Sequence, residues 1–250
     1  MKKIILFTLA LFATVTCFAR NRDDEDNGRT NSINFTLNTD SDTALLFNFG
    51  DTFYNTERLS DCFKGSKTFN SNGFTGEIGT YKSDEDGLFD FVQTSLFGFG
   101  GGKIQNIDNI PCRYDNIEFL SDGNPKHYNF YFKETFGLQL NVFFVSFGVT
   151  TGPKVGYDWM KMPIRFLYGN NISGHFHENR VFLDWTLNPY ISFNLNNVKI
   201  FLSANSDFPV LRARFQYTKS SHYKSDTTIK WDWFKNDVPI TYMVGCAIFF

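Results

Sequence analysis

Apolar and polar residues alternate along much of the second half of this chain, which is the pattern of β-strands. The clearest run extends from Val181 to Leu195, where every second residue is apolar apart from Pro189 and the residues between are mostly polar. The segment from Pro239 to Phe250 has a similar stripe of apolar and aromatic residues opposite mainly small ones. A period of two places the two sets on opposite faces of a strand. The pattern therefore predicts strands that each have one apolar face.

Turn-forming residues separate these strands, and no helical periodicity of useful length interrupts them. The strands counted begin with 43–54, while a weaker strand at 32–38 is left out of the count. Longer polar loops are predicted at one end of the sheet, at 55–72, 103–126, 170–180 and 205–209, and shorter turns at the other end, at 83–87, 151–154 and 196–197. The loop at 219–225 departs from this arrangement. The segment 127–150 is too long for one crossing, so it either extends beyond the sheet or contains a hairpin near 133–135.

The end of the chain resembles a known family. Counting back from the C-terminus, Phe250, Ile248, Val244 and Tyr242 lie on the apolar stripe. This ending resembles the C-terminal strand of bacterial outer-membrane β-barrel proteins, which finishes in Phe with aromatic or apolar residues at alternating positions before it. The resemblance implies a bacterial outer-membrane location and barrel-assembly machinery that recognises these four residues as an assembly signal. It covers only this terminal segment.

The expected fold is all-β, a closed antiparallel transmembrane β-barrel of about ten strands, with eight to twelve compatible with the pattern. Closure gives every strand a hydrogen-bonding partner inside lipid, and lipid covers the apolar faces. Aromatic residues make up 18% of the chain and include 31 Phe, which suits belts of aromatic side chains at the membrane interfaces.

Residues 1–19 have the features of a secretory signal peptide: Lys2 and Lys3, an apolar run, and Cys17-Phe18-Ala19 as the cleavage site. Residues 20–31 are predicted to be a disordered acidic segment, and residues 32–250 the barrel. Without the two signal lysines, 22 of the 24 basic residues remain against 26 acidic ones, a net charge of −4. This balance gives no reason to expect a nucleic-acid partner. Outer-membrane lipid is the expected surrounding.

Charged residues occur on the faces predicted to point into the barrel. Their chemistry fits either ion pairs that fill the interior or a narrow aqueous path, because small barrels are mostly filled by side chains. The candidate lumen-facing charges are Lys161, Arg165, Asp184, Lys199, Arg212, Arg214, Lys230 and Asp232. Basic residues outnumber acidic ones six to two in this set, so a pore would favour anions.

Two cysteines are candidates for a disulfide. Cys62 and Cys112 both fall in loops predicted at the same end, and an oxidising envelope would permit the bridge. Cys17 leaves with the signal unless it is a lipidation site, and Cys246 lies on the apolar stripe as a small hydrophobic residue.

The segment His175-Phe176-His177-Glu178 is a candidate for transition-metal chemistry. Two histidines separated by one residue can bind a transition metal if the segment is extended, but a single short motif on a predicted polar loop is weak evidence. Ser173 lies near His175, yet sequence neighbours alone do not make a catalytic triad. No cofactor, metal site or enzymatic activity is predicted.

The predicted function is that of an outer-membrane β-barrel with a structural or narrow-pore, porin-like role. The main alternative is a soluble secreted or periplasmic β-protein that binds an apolar ligand, in which a second sheet would cover the apolar faces. A third hypothesis is a hydrolase embedded in the barrel.

Overall fold

The computed structural model describes residues 43–56, 69–83, 87–105, 107, 109–114, 117–167, 172–195, 197–221, 224–234 and 238–249. The predicted signal peptide, the acidic segment, the weak strand at 32–38, Cys62 and Phe250 lie outside these residues. No helix in the described part of the chain is long and apolar enough to cross a membrane.

The described residues form eleven strands. They are β1 (Thr43–Thr56), β2 (Phe69–Ser83), β3 (Phe89–Ile104), β4 (Pro111–Tyr114), β5 (Ile117–Ser121), β6 (Lys126–Val142), β7 (Val145–Phe166), β8 (Ser173–Leu195), β9 (Val198–Ser220), β10 (Thr228–Trp233) and β11 (Ile240–Phe249).

Antiparallel pairing joins these strands into a closed ring, because β11 pairs with both β1 and β9. The ring has eight positions, since β5 and β6 lie one after the other along the same edge of β7, and β10 and β11 do the same along β9. Strand β4 pairs with β5 as a short hairpin at one end. The predicted closed antiparallel barrel is thus confirmed, with a ring at the lower limit of the expected strand number.

The strands are staggered around the ring. Following directly opposed residues from Lys82 through every strand returns to β2 at Asn72, ten residues along the chain. Such a stagger requires the strands to tilt by about 40° to the barrel axis. Directly opposed residues on neighbouring strands therefore lie at different heights along the barrel axis.

The turn predicted at 151–154 is wrong. These residues lie inside β7, and the chain reverses instead at Phe143-Phe144, where Phe143 has a φ of 55°. Proline lacks an N–H group, and the β6–β7 pairing skips Pro153 and Gly152. The pairing with β8 continues through both residues, so the Gly-Pro pair interrupts one ladder without ending the strand.

The loop predicted at 205–209 is also wrong, because these residues lie inside β9. Leu183 is opposite Leu211 while Asp184 is opposite Pro209, so Val210 is an extra residue in a β-bulge. A bulge is one of the places where a sheet accepts proline. Residues that are typical of a loop therefore form a β-bulge within a long strand here.

The connections between the strands lie at two ends of the barrel. The connections after β2, β6 and β8 lie at one end, the turn end, together with the end of β11; those after β1, β3, β7 and β9 lie at the other, the loop end. The segment 219–225 therefore falls at the same end as the other longer connections. The predicted loop at 170–180 is shorter than expected, because β8 begins at Ser173.

The outward surface carries an apolar band. On β7 the outward side chains from Phe147 to Trp159 are apolar or aromatic except Thr151. Twelve residue steps along a strand tilted by about 40° span roughly 30 Å, the thickness of a bilayer hydrocarbon core. On β11 Tyr242 and Val244 are each 57% exposed on the outward face. The predicted apolar stripe of the final strand therefore faces away from the interior.

Candidate functional site in the barrel interior

Four of the candidate lumen-facing charges lie buried in the interior: Asp184, Lys199, Arg212 and Arg214. Asp232 lies opposite Arg212 and shares its inward face. Lys230 lies opposite Arg214 and so shares that face as well, but its side chain is exposed near the loop end.

The prediction for Lys161 and Arg165 is wrong, because both lie on the outward face of β7. Their neighbours Met160, Met162 and Ile164 are the inward residues, each 0% exposed. The polarity of β7 inverts near Trp159. Between the turn end and Trp159 the apolar residues face outward, and between Trp159 and the loop end they face inward. We attribute the inversion to a change of surroundings, since an outward apolar face suits lipid whereas above the apolar band it would meet water.

Ion pairs cross the middle of the interior. Three of them have N–O distances of 2.6 to 3.4 Å: Lys154 to Asp207 at 2.6 Å, Arg180 to Asp158 at 2.7 Å and Arg212 to Asp184 at 3.4 Å. Arg214 also pairs with Asp232, and its guanidinium lies 4.0 Å from Glu178. Sequence reasoning missed most of the partners. Glu178 and Arg180 lie in a segment taken for a loop, and Lys154 and Asp207 lie in segments taken for a turn and a loop. Asp158 lies in a predicted strand, but on the face predicted to point outward.

Among the described residues, the most completely buried ion pair joins Lys133 to Glu77 at 2.6 Å, with both side chains 2% exposed. Glu77 also accepts hydrogen bonds from Tyr131 at 2.8 Å and Asn48 at 3.0 Å. Gly98 lies directly between Glu77 and Tyr131 in the sheet. A Cβ atom at residue 98 would lie 2.0 Å from the Tyr131 ring, so glycine is required for the ring to cross β3 towards Glu77.

An apolar group, the loop-end cluster, fills the interior between these charges and the loop end. The β4–β5 hairpin folds over the inward faces of β7 and β8, and the cluster comprises Ile104, Ile107, Cys112, Tyr114, Phe119, Met160, Met162, Ile164, Phe166 and Phe176. Phe176 lies at its centre, with ring centroids 5.4 Å from Tyr114 and 6.3 Å from Phe119. The Tyr114 hydroxyl also donates to the Gln216 backbone oxygen at 2.5 Å, which fixes the hairpin to β9.

A second apolar group, the turn-end cluster, fills the other end. Its larger buried members are Leu46, Tyr81, Val92, Leu96, Tyr190 and Phe201. The Lys199 ammonium reaches this cluster and donates to the Tyr81 hydroxyl at 3.0 Å and to the Gln139 side chain at 3.3 Å. The predicted lumen charge at Lys199 is therefore held by buried polar groups at the edge of an apolar layer.

The interior thus has three layers: an apolar cluster at each end and paired charges between them. Among the described residues, buried apolar side chains gather near each end of the interior and paired charges lie between them. The excess of basic over acidic residues in the predicted set does not describe this interior. Two of the predicted bases, Lys161 and Arg165, face outward. The interior also holds carboxylates outside the predicted set: Glu77, Asp158, Glu178 and Asp207. The arrangement is suited to filling and stabilising a barrel.

The His175–His177 segment lies on strand β8, in contrast to the predicted loop. Both imidazoles face outward, with ring centroids 6.1 Å apart, and His177 stacks on Tyr217 at 4.8 Å. Burial, followed by the positive charges of Lys161, His175, Lys219 and Lys224, lowers the pKa of His177 to about 4. A positively charged surrounding opposes a metal cation, and among the described residues no group of three or more His, Cys, Asp or Glu is placed to hold one.

We expect His177 to remain neutral at pH 5.5 and to charge only near pH 4. Its ordinary pKa is higher, so the unfolded chain binds a proton first as the pH falls. The contribution of His177 to stability is therefore present above pH 6.5 and is lost as the pH falls towards 4. An NMR titration of the folded barrel would measure this pKa, and Lys161→Gln should raise it towards 6.5. A wild-type value at or above 6.5 would contradict the expectation.

Cys112 is 1% exposed within the loop-end cluster, and its thiol donates to the Ile110 backbone oxygen at 3.2 Å. Burial raises the pKa of the Cys112 thiol to about 12. Cys62 lies outside the described residues, so the disulfide between them stays a prediction. Of the predicted assembly signal, Tyr242, Val244 and Ile248 lie on the outward face of β11 and Phe250 lies outside the described residues; their recognition role likewise stays a prediction.

Comparisons with known proteins find similarity in solved structures. No family model matches the chain, and no curated protein matches it. Ail, the attachment invasion locus protein of Yersinia pestis, is 14% identical over 85% of this chain and 100% of its own, with a TM-score of 0.38. A major outer membrane protein of Thermus thermophilus is 11% identical over 83% and 99%, with a TM-score of 0.45. Neisserial surface protein A is 9% identical over 83% and 97%, with a TM-score of 0.39.

The solved structures to which this chain is similar are thus bacterial outer-membrane β-barrel proteins. At these identities and TM-scores the barrel assignment for this chain rests on its own strand pairing, its apolar outward band and its polar interior.

Proposed function

We propose that this chain is a bacterial outer-membrane β-barrel protein with a closed interior, in a structural role rather than as a porin-like pore. The observation that carries the proposal is the three-layered interior, in which buried ion pairs lie between two apolar clusters. A narrow pore needs a continuous polar path, and the loop-end and turn-end clusters both interrupt one.

The apolar band supports membrane residence. Large outward side chains such as Phe130, Leu138 and Trp231 are each 59–61% exposed. Contiguous apolar surface on this scale is costly in water and favourable in lipid. The outer membrane is proposed because of the resemblance of the final strand and the secretory signal, and the assembly machinery is proposed as the partner of β11.

The soluble alternative with an apolar ligand is less well supported. A ligand would need an apolar cavity in the interior, where the described side chains place ion pairs at mid-height. Water would also have to cover the outward band. Carbonate extraction separates the two: release of the mature protein without detergent would contradict membrane insertion, while retention and heat-modifiable migration on a gel would support it.

We expect no steady conductance when the purified barrel is inserted in planar bilayers. The reason is that both ends of the interior are closed by apolar side chains. Insertion is verified by flotation of the same sample with vesicles, so that a silent bilayer cannot be mistaken for an empty one. Reproducible ion-selective channel openings in the wild-type protein would overturn the closed-barrel proposal and favour a narrow pore.

A further inference from the structure

A small polar patch interrupts the apolar band on the outward face of β3 and β6. The Gln93 side-chain amide donates to a Glu134 carboxylate oxygen at 3.0 Å, on the exposed surface of the barrel. Ser95 lies directly opposite Glu134, and Thr80 lies directly opposite Ser95 on β2. We call Thr80, Gln93, Ser95 and Glu134 the outward polar patch.

This patch lies within the apolar band. On β6 the outward neighbours of Glu134 are Phe130 and Phe132 towards the loop end and Phe136 and Leu138 towards the turn end. Three of these four are strongly exposed, Phe130 at 59%, Phe136 at 45% and Leu138 at 60%. A carboxylate among them would face lipid, where a charged or strongly polar group is costly without a partner.

The chemistry of the patch suits a second copy of itself. The Gln93 amide has two N–H groups and the Glu134 carboxylate two oxygens, so the hydrogen bond between them leaves one N–H group and the second carboxylate oxygen for another molecule. A two-fold axis along the membrane normal brings the same patch of two copies together at the same depth. The Gln93 amide of each copy can then donate to the Glu134 carboxylate of the other.

Side-chain size around the patch also permits close approach. Ser95 and Thr80 are small and carry hydroxyl groups, as do many residues at contacts between transmembrane helices. The neighbouring rings of Phe97 and Phe132, with centroids 5.2 Å apart, add an apolar surface beside the polar contact. Lipid chains can cover the rings but offer no hydrogen bond to the carboxylate.

We propose that the outward polar patch is the contact between two copies of this barrel in the membrane, built on reciprocal Gln93–Glu134 hydrogen bonds. The inference rests on the proposed membrane residence of the barrel and adds an oligomeric state to it.

The test measures energy transfer between donor- and acceptor-labelled copies of the mature chain in phosphatidylcholine vesicles, at several protein-to-lipid ratios. We expect the wild-type protein to associate, and the double variant Gln93→Leu with Glu134→Leu to need about tenfold higher protein density for the same transfer. Ser206→Leu is the matched control, since it also replaces an outward polar residue by leucine, on β9 away from the patch. It should associate like the wild type.

A second measurement does not use the leucine variants. A photoreactive amino acid at residue 95 should cross-link two copies of the barrel in intact membranes, whereas the same group at residue 206 should not. Wild-type protein that fails to float with vesicles would overturn the proposed membrane residence itself. Protein that floats but stays monomeric, a double variant that associates like the wild type, or cross-links from residue 95 only to a different protein would overturn the proposed contact alone.

Discussion

Replacing Glu77 by alanine should destabilise the barrel by about 3–5 kcal/mol, the usual cost of removing one partner of a buried ion pair. The ammonium of Lys133 lies 2.6 Å from Glu77 and would lose its counter-charge while remaining buried. Tyr131 and Asn48 would lose their acceptor as well. Unfolding by guanidinium in phosphatidylcholine vesicles, followed by tryptophan fluorescence, measures the change.

The matched control removes both charges together. Glu77→Leu with Lys133→Met leaves no buried charge unpaired and keeps similar side-chain volumes, so most of the lost stability should return. If the single variant Glu77→Ala costs less than about 1 kcal/mol, water reaches Lys133 and the interior is less closed than proposed. A double variant that is less stable than Glu77→Ala would show that the charges are needed in themselves.

This ion pair illustrates what sequence reasoning could not reach. Glu77 lies on β2 and Lys133 on β6, with β3 between them. Their contact depends on the register of three strands and on Gly98, which leaves room for side chains to cross β3. Alternation along one strand predicts which face a residue occupies, but the partner across the interior is set by the stagger of the ring.

The faces themselves were predictable where lipid sets the pattern. The stripes ending at Leu195 and at Ile248 lie outward as expected, because both run through the apolar band. The prediction failed for Lys161 and Arg165, where the same strand continues beyond the band. There the hairpin fills the interior with apolar side chains and water lies outside, so the rule that apolar means outward is reversed.

Turn and loop signals were misleading for a related reason. Pro153 and Pro209 both lie in long strands of the barrel, one at a gap in the β6–β7 ladder and one at a bulge. A closed ring gives each strand two neighbours, so a proline that interrupts one ladder leaves the other to hold the strand. In an open sheet edge the same residues would more readily end the strand.

The polarity inversion leads to a strong expectation for the segment His175-Phe176-His177. Phe176 is 0% exposed at the centre of the loop-end cluster, whereas its two histidine neighbours face outward. Phe176→Ala should cost about 3–5 kcal/mol, because it removes a buried aromatic ring and leaves a cavity between Tyr114 and Phe119. The hairpin should also become accessible to limited proteolysis in folded protein, since its contacts with β8 depend on this ring.

His175→Ala and His177→Ala are the controls, and each should change the free energy of unfolding by less than about 1 kcal/mol. The comparison distinguishes two interpretations of one short motif. If the segment were a metal site, the histidine variants would have the large effects on the free energy of unfolding, and added zinc would stabilise the wild type. If the segment instead holds the β4–β5 hairpin in place through Phe176, Phe176→Ala has the largest effect and zinc has none. The structure favours the second outcome. The Phe176 ring faces inward, whereas the positive charges of Lys161, Lys219 and Lys224 lie near the outward His177 imidazole and oppose a metal cation.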